Sequence, residues 1–437
     1  MRHRTFYVRT FGCRLNQFDS ALVEHDLRER GWRPARTFRD AAVVVANTCT
    51  VTRRADSDAR RFAHRVKRGN PTAILVLTGC YATRNTTLRE KIPQIDFLVS
   101  NADKARIAEI VERHARQEPV EHVYDGDILK ARELDYAPLE RFFDKSRAFL
   151  KVQDGCDARC TFCIIPAVRG ASRSLPPGRI EEQARRFAEA GHPEIVLTGI
   201  HLGRYGLDLN GEGVNLARLV ERLLKIERIR RLRLSSIEPL EVTDELVRLA
   251  AGEERIAPHF HVPLQSGSDA VLRRMGRPYQ VSQYARVLER VGKNLPDAGI
   301  GADVLVGFPG ETSKDFDATL RFVERSNLTY LHVFRYSPRP GTAALRFREK
   351  VPGRAASERG AQLRNLSRRL NLRFRRAQEG KIQRAALLES RSGAPAALTG
   401  NYIEVSLSAP PDGAGNFFPL RIERATAKGT WGRVAAP

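Results

Sequence analysis

The sequence has no hydrophobic run long enough to cross a membrane. Its longest apolar stretch, AAVVVAN from Ala41, is far shorter than the roughly 20 residues that a transmembrane helix needs. The basic start, MRHRTFYVRTFGC, is not followed by an apolar segment of signal-peptide length. We therefore expect a cytoplasmic protein with no membrane partner, in a compartment where thiols stay reduced.

Cysteine is scarce, and acidic residues are outnumbered by basic ones. Only six of the 437 residues are cysteine, and in a reducing compartment they are expected to bind metal or act in catalysis. Lys plus Arg number 74 against 51 Asp plus Glu, a net charge of +23. This excess favours a nucleic-acid partner; the alternative is an arginine-rich composition without one. A hydrophobic fraction of 42% excludes global disorder, and at about 100–200 residues per domain we expect roughly two to four domains.

Strand and helix patterns alternate in the first part of the chain. This alternation predicts a small open sheet of mainly parallel strands. Three strand patterns, TFYVRTFG, AAVVVANT and TAILVLTG, end just before Cys13, Cys49 and Cys80. Because ligands bind at the carboxyl ends of strands in such sheets, we expect the three cysteines to meet at one edge. The alternative is three separate buried cysteines.

Six strand-and-helix repeats follow from Ala148 onward and predict an incomplete (β/α)6 barrel. An arginine-rich helical stretch from Gly353 to Lys381 and short strand patterns after it predict a basic connector and a small β-barrel. Both suit RNA binding; the alternative is a solvated helix with a structural cap. The predicted domains are the open sheet at 1–120, a linker at 121–145, the partial barrel at 146–352, the connector at 353–380 and the small barrel at 381–437.

The stretch DGCDARCTFCIIPAVRG contains Cys156, Cys160 and Cys163 in a C-x3-C-x2-C spacing, directly after the first barrel strand. Thiolates suit zinc, copper(I) or iron–sulfur clusters. A structural zinc needs a fourth ligand. The nearest candidates, Asp154 and Asp157, are hard oxygen donors, and no histidine lies nearby in the sequence. Three thiolates on a [4Fe–4S] cluster instead leave one iron free for another ligand.

This motif resembles that of the radical S-adenosylmethionine (radical SAM) superfamily. The resemblance implies that SAM chelates the open iron and is split to a 5′-deoxyadenosyl radical, with Phe162 near the adenine. The loops after three later strands then carry candidate SAM contacts, since they lie at strand ends and glycine permits close backbone approach. These candidates are Thr198 and Gly199, Gln265 and Ser266, and Gly307. For the histidines near these loops, His201, His259 and His261, we expect structural roles.

Over essentially its whole length the chain resembles the methylthiotransferase family, which joins a three-cysteine N-terminal domain, a radical SAM barrel and a C-terminal TRAM barrel. The resemblance implies an auxiliary [4Fe–4S] cluster on Cys13, Cys49 and Cys80, so that all six cysteines bind iron and act in catalysis. It also implies two uses of SAM, as methyl donor and as radical source. The implied partners are tRNA, a reducing electron donor and a sulfur donor.

The surroundings of the cysteines indicate a branch of that family. The segments TFGCRLNQFDS, LTGCYATRN and LSSIEP are most similar to the branch that acts on N6-threonylcarbamoyladenosine beside the tRNA anticodon. That resemblance implies insertion of a methylthio group at C2 of this base in the anticodon stem-loop. The alternatives are the branches acting on tRNA isopentenyladenosine or a ribosomal-protein aspartate and, from another class, a zinc-containing RNA-binding protein without catalysis.

Overall fold

Strands and helices alternate along the computed structural model, which describes residues 4–142, 145–209, 213–389, 395–409, 411, 413 and 415–435. The strands are β1 (Thr5–Thr10), β2 (Arg33–Pro34), β3 (Val43–Thr48), β4 (Ile74–Gly79), β5 (Phe97–Val99), β6 (Val123–Tyr124), β7 (Arg147–Lys151), β8 (Gln153–Asp154), β9 (Arg173–Ser174), β10 (Glu194–Thr198), β11 (Leu232–Leu234), β12 (His259–His261), β13 (Gly299–Val306), β14 (Tyr330–Arg335), β15 (Ile382–Leu388), β16 (Ala396–Thr399), β17 (Glu404–Leu407), β18 (Phe417–Thr426) and β19 (Gly429–Val434). The helices are α1 (Arg14–Glu29), α2 (Arg53–Gly69), α3 (Cys80–Arg84), α4 (Leu88–Lys91), α5 (Ile107–Ala115), α6 (Ile165–Arg169), α7 (Pro177–Glu189), α8 (Leu216–Leu224), α9 (Asp244–Gly252), α10 (Asp269–Arg274), α11 (Val281–Asn294), α12 (Ser313–Arg325) and α13 (Gly353–Arg376).

The chain divides into two compact units that are not simple consecutive segments. The N-terminal unit comprises Met1–Leu139, Gln153–Leu175 and Ser337–Leu345, and the C-terminal unit comprises the remainder. The loop with Cys156, Cys160 and Cys163 therefore belongs to the N-terminal unit. The domain bounds given above remain a prediction, and positions 1–3, 143–144, 210–212, 390–394, 410, 412, 414 and 436–437 of those ranges lie outside the described residues.

The N-terminal unit contains a six-stranded parallel sheet in the order β2-β1-β3-β4-β5-β6. Side chains alternate along β3, so Val44 and Ala46 pack on one face with α2, while Val43 and Val45 pack on the other with α1 and α5. Helix α2 begins after Thr52, whose side chain accepts a hydrogen bond from the Ala55 amide. The predicted open parallel sheet, covered on both faces, is confirmed.

The C-terminal unit contains six parallel strands that follow one another in chain order. They form the sheets β7-β10-β11 and β12-β13-β14, which two parallel bridges join, Leu232 to Ile256 and Ser236 to His261. A helix follows each strand along the chain, from α7 after β7 to α13 after β14. The predicted incomplete (β/α)6 barrel is confirmed.

The chain then forms the long helix α13 and a closed barrel in the order β15-β16-β17-β19-β18. Apolar side chains from alternate positions fill its interior, including Val405, Phe418, Leu420 and Ile422. The small TRAM-like β-barrel and the helical connector are thus as predicted. Within the described ranges, every helix is too short or too polar to cross a membrane.

A buried carboxylate anchors three arginines where the small barrel meets the (β/α)6 core. Glu194, at the start of β10, is fully buried and binds Arg233 through both carboxylate oxygens, at 2.9 and 2.7 Å. It also pairs with Arg231 at 2.8 Å and Arg147 at 3.2 Å. Burial alone would raise the pKa of Glu194, but Arg233 and Arg231 hold that pKa well below its ordinary range.

The same arginines extend to the small barrel. Arg233 donates to the carbonyl oxygens of Thr399 at 3.0 Å and Gly400 at 2.8 Å. Arg231 donates to the carbonyl oxygens of Leu398 at 3.0 Å and Arg384 at 2.9 Å. The carboxylate therefore fixes two guanidinium groups that satisfy backbone acceptors of β15 and β16 and the turn after β16.

Candidate metal centre

Cys13, Cys49 and Cys80 lie at the carboxyl ends of three neighbouring parallel strands, β1, β3 and β4. Cys49 directly follows β3, and Cys80 is the first residue of α3, directly after β4. Cys13 lies farther from its strand, because β1 ends at Thr10 and Cys13 is the N-cap of α1. The three side chains meet at one edge of the sheet, as the alternation of strands and helices predicted.

Gly12 lets the first of these loops approach the second. Its φ is +92°, in the region that favours glycine, and a Cβ at this position would lie 2.6 Å from Cys49 Cβ and 3.0 Å from Cys49 Sγ. No side chain fits in that space. The absence of a Cβ at residue 12 therefore permits the loop that carries Cys13 to contact Cys49.

Burial raises the pKa of two of these thiols, Cys13 and Cys49, and so favours their neutral forms until a metal binds. Burial raises the pKa of Cys49 to about 12, and the neighbouring Cys80 contributes in the same direction. Cys80 also lies close enough to Cys13 for their charges to interact. A metal ligand must be a thiolate, so metal binding here would displace protons.

Cys156, Cys160 and Cys163 lie on the loop between β8 and α6, and all three are half-buried. Two backbone hydrogen bonds shape the loop, from the Cys156 amide to the Gly170 carbonyl and from the Cys163 amide to the Cys160 carbonyl, each 3.1 Å long. Phe162, the predicted adenine neighbour, is also half-buried. Their roles toward iron and SAM stay predictions.

The structure brings this loop against the N-terminal trio. Cys80, Ile164 and Val168 form one small hydrophobic cluster. Asn101 connects the same parts, since its side-chain amide donates to the Val168 carbonyl at 2.7 Å and lies 3.8 Å from Cys80 Sγ. The two cysteine trios thus lie on neighbouring loops of the same compact unit.

Arg169 is the residue beside both trios that sequence reasoning missed. It is 2% exposed and donates to Asp154 at 2.7 Å, to Asp19 at 3.1 Å and to the Asn16 side chain. Burial opposes its charge, but Asp154 and Cys80 raise the pKa of Arg169 well above its ordinary value. The only signals of this contact in the sequence were the position of Arg169 close to the cysteine loop and the spacing of Asn16 and Asp19, three residues apart on α1.

The acidic residues that could have completed a zinc site are engaged elsewhere. Asp154 accepts hydrogen bonds from Arg169 and from the Gly155 amide, both at 2.7 Å. Asp157 accepts from the Ser172 amide at 3.1 Å. The thiol-only donor sets fit iron–sulfur clusters better than zinc with a carboxylate fourth ligand.

Among the described residues, one group of three side chains has metal-ligating atoms that all lie within 4.8 Å of one another: His261, Asp303 and His332.

The predicted SAM loops lie in the C-terminal unit. Thr198 ends β10, where its hydroxyl donates to the Val196 carbonyl at 3.1 Å, and Gly199 follows it. Gly307 follows β13 with a φ of +73°, and its amide donates to Glu311 at 2.7 Å. All three residues are at carboxyl ends of parallel strands, and their contact with SAM stays a prediction.

Gln265 and Ser266 lie on the loop after β12. Gln265 has a φ of +63°, which is rare for a residue other than glycine, and its amide donates to the Asp303 carbonyl at 2.8 Å. Ser266 is buried, with its hydroxyl 3.3 Å from that of Thr319. The loop is therefore held against β13 in a conformation with a local backbone cost of order 1–3 kcal/mol.

Comparison with known proteins adds family matches over both units. The model of the Radical SAM superfamily matches residues 150–323, and the model described as Uncharacterized protein family UPF0004 matches residues 5–100. A solved structure of the radical S-adenosylmethionine methyltransferase TsrM from Kitasatospora setae, with tryptophan substrate and a SAM analog bound, has a TM-score of 0.57 and 14% identity. That match covers 76% of this chain and 73% of the other, and it shows a shared fold alone.

Several curated proteins are similar over nearly the whole chain. Threonylcarbamoyladenosine tRNA methylthiotransferase MtaB of Aquifex aeolicus is 40% identical, over 91% of this chain and 95% of that protein. The protein of the same name from Bacillus subtilis is 35% identical, over 96% and 94%. The tRNA-2-methylthio-N(6)-dimethylallyladenosine synthase of Dictyoglomus thermophilum is 32% identical, over 96% of each.

Proposed function

Because the chain belongs to the methylthiotransferase family of the radical SAM superfamily, we propose that it inserts a methylthio group at C2 of N6-threonylcarbamoyladenosine in tRNA. The family prediction is confirmed by relatives of at least 35% identity over about nine tenths of the chain or more. The substrate is inferred from the sequence identity of this chain to two groups of relatives. Four relatives named for threonylcarbamoyladenosine are 35–40% identical, and four named for dimethylallyladenosine are 31–32% identical. The ribosomal and non-catalytic alternatives are not favoured.

Membership in the radical SAM superfamily implies SAM and one [4Fe–4S] cluster, and the proposal assigns that cluster to Cys156, Cys160 and Cys163. A second cluster is assigned to Cys13, Cys49 and Cys80. When bound, these groups supply the one-electron and methyl-transfer chemistry of the reaction. The two thiol-only trios, each at a strand end or on the following loop, support the assignment.

The residues of this chain bind and shield those groups. Cys49 and Cys80 are buried, whereas Cys13 is exposed. Arg169 is a cation close enough to Cys80 and Cys13 for their charges to interact, and it offsets the negative charge that thiolates would place in a buried site. Phe162, Thr198, Gly199, Gln265, Ser266 and Gly307 are assigned to SAM binding on the strength of their strand-end positions.

The polyanionic partner in this proposal is the tRNA anticodon stem-loop. The net charge of +23 supports it, as do the exposed arginines of α13, among them Arg368, Arg369, Arg373 and Arg376. A tRNA substrate in turn supports a cytoplasmic location. Turnover also needs a reducing electron donor and a sulfur donor, because the product gains a sulfur atom.

Mass spectrometry of tRNA nucleosides tests the substrate. Cells that lack the gene should lose the methylthio form of threonylcarbamoyladenosine and keep the methylthio form of isopentenyladenosine. Restoring the wild-type gene should restore the lost nucleoside, and the Cys49→Ala gene should not. Loss of the isopentenyl product instead would move the protein to the other tRNA branch.

Two cysteine variants separate the assigned roles and serve as each other's control. Cys156→Ala should abolish reductive cleavage of SAM. Cys49→Ala should keep that cleavage but form no methylthio product. Anaerobically reconstituted wild-type protein should contain about eight irons per chain, the sum of two [4Fe–4S] clusters, and each variant about four. Full product from either variant would contradict its assignment.

A further inference from the structure

His261, Asp303 and His332 lie side by side on one face of the sheet β12-β13-β14. His261 is paired with Gly301 of β13, and Asp303, two residues farther along that strand, is paired with His332 of β14. Residues two apart in a strand point to the same face. Three neighbouring strands thus direct two imidazoles and one carboxylate to the same place.

The distances in this group match those around a single small metal ion. Asp303 Oδ1 lies 3.3 Å from His261 Nε2 and 3.2 Å from His332 Nδ1. A tetrahedral zinc with bonds of about 2.0–2.1 Å places neighbouring donor atoms about 3.3 Å apart. A direct charge-assisted hydrogen bond is shorter, about 2.7–2.9 Å. His332 and Asp303 are within hydrogen-bond distance of each other, and the same spacing also fits ligands around a shared ion.

His261 has the environment of a metal-binding imidazole. The residue is 7% exposed, and its Nε2 has no hydrogen-bond partner among the described residues. Its other nitrogen, Nδ1, lies 2.7 Å from the Ser236 hydroxyl, on the segment after β11. A hydrogen on Nδ1, donated to Ser236, would leave a lone pair on Nε2, directed toward the carboxylate. Metal-binding histidines are commonly oriented by such a bond from the second nitrogen.

The site has access to solvent. His332 is half-exposed, with 53% of its side chain accessible, which gives an ion a path to the site. The ring of Tyr330 packs beside both histidines, at centroid distances of 6.1 and 5.4 Å.

We propose that His261, Asp303 and His332 form a site for one divalent transition-metal ion, with zinc the best match. Two imidazoles and one carboxylate suit zinc and its neighbours and disfavour magnesium and calcium, which prefer oxygen ligands. Three protein ligands leave a fourth position for water or for an oxygen atom of a bound molecule. The site shares no residue with the cysteine trios and goes beyond the proposed function.

The test uses anaerobically reconstituted holoenzyme, so that iron already occupies the cysteines. The protein is equilibrated with zinc sulfate, desalted and analysed for zinc per chain and for zinc K-edge X-ray absorption. We expect one zinc with nitrogen and oxygen neighbours at about 2.0–2.1 Å and no sulfur shell near 2.3 Å. A sulfur shell would mean that zinc occupies cysteines and would overturn the proposal.

Variants assign the ion to its ligands. Asp303→Asn and His332→Ala should each lower zinc affinity by at least tenfold, and Ser236→Ala by about 10–100-fold through misorientation of His261. His64→Ala removes an exposed histidine of α2 and should bind zinc as the wild type does. Equal zinc affinity in the wild type, Asp303→Asn and His332→Ala would refute the site. The tRNA nucleoside assay needs no added zinc, so failure here leaves the methylthiotransferase proposal standing.

Discussion

Replacing Glu194 by glutamine removes the negative charge that pairs with the buried Arg231 and Arg233 and with the half-buried Arg147. The side chains of Arg231 and Arg233 are 3% and 0% exposed, so water does not replace the lost carboxylate. Removing one partner of a buried ion pair costs about 3–5 kcal/mol. Because Arg231 and Arg233 also hold the carbonyls of β16 and its turn, we expect the loss to fall on the small barrel and the core beneath it.

The two tryptophans of the chain separate the units. Trp431 lies in β19 of the small barrel, and Trp32 is buried in the N-terminal unit. In a Trp32→Phe background, Glu194→Gln should lower the urea midpoint of Trp431 fluorescence by about 1–1.7 M, taking a slope of about 3 kcal/mol/M. In a Trp431→Phe background, the Trp32 midpoint should stay unchanged. The exposed Glu189→Gln is the matched control.

Two results would refute this reasoning. A midpoint shift below about 0.3 M would mean that the arginines find other partners or water at little cost. An equal shift in both fluorescence signals would mean that the carboxylate supports the whole chain and not the C-terminal unit.

Three further predictions concern pH, the sheet edge and the buried arginine. Because the pKa of Glu194 is depressed in the folded state, its contribution to the free energy of unfolding is complete above the unfolded pKa of about 4.3. That contribution is lost as pH falls through the lower folded pKa. Between pH 6 and 3 the urea midpoint of Trp431 fluorescence should therefore fall more in the wild type than in Glu194→Gln. Gly12→Ala should lower the iron content from about eight to about four atoms per chain, measured by a colorimetric iron assay. SAM cleavage, measured by chromatography, should persist. Unchanged iron would show that the loop tolerates a Cβ at residue 12. Arg169→Gln should lower the urea midpoint of Trp32 fluorescence, because the Asp19 and Asp154 carboxylates lose a buried partner at a cost of about 3–5 kcal/mol in the free energy of unfolding. An unchanged midpoint would show that water solvates the two carboxylates.

The parts of the fold that the sequence predicted are those that local patterns determine. The run Val43–Thr48 is buried on both faces of the sheet, and its continuous apolar character predicted that position. The approach of Cys49 and Cys80 followed from strand order, whereas Cys13 lies farther from its strand than the pattern suggested.

The parts that were missed depend on pairs distant in sequence. Arg169 and Asp19 are 150 residues apart, and nothing local to either residue indicates the other. The proximity of His261 to Asp303 and His332 was likewise not predicted, because a single histidine in a strand gives no sign of residues on the neighbouring strands; its predicted structural role stays a prediction. Strand register decides whether such residues share a face, and register is a property of the assembled sheet.

The inclusion of Gln153–Leu175 in the N-terminal unit has a consequence for exchanging parts between relatives. A fragment that starts at residue 146 would keep the Cys156 loop but lose the residues of the first 139 that contact it. Ile164 and Val168 would lose their apolar neighbour Cys80, and Val168 would also lose its hydrogen bond from Asn101. Arg169 would lose the carboxylate of Asp19. Hybrid enzymes should therefore inherit this loop from the same parent as the first 139 residues. Residues 176–336 lie between the two returning segments and belong to the other unit, so they form one continuous part for such exchanges.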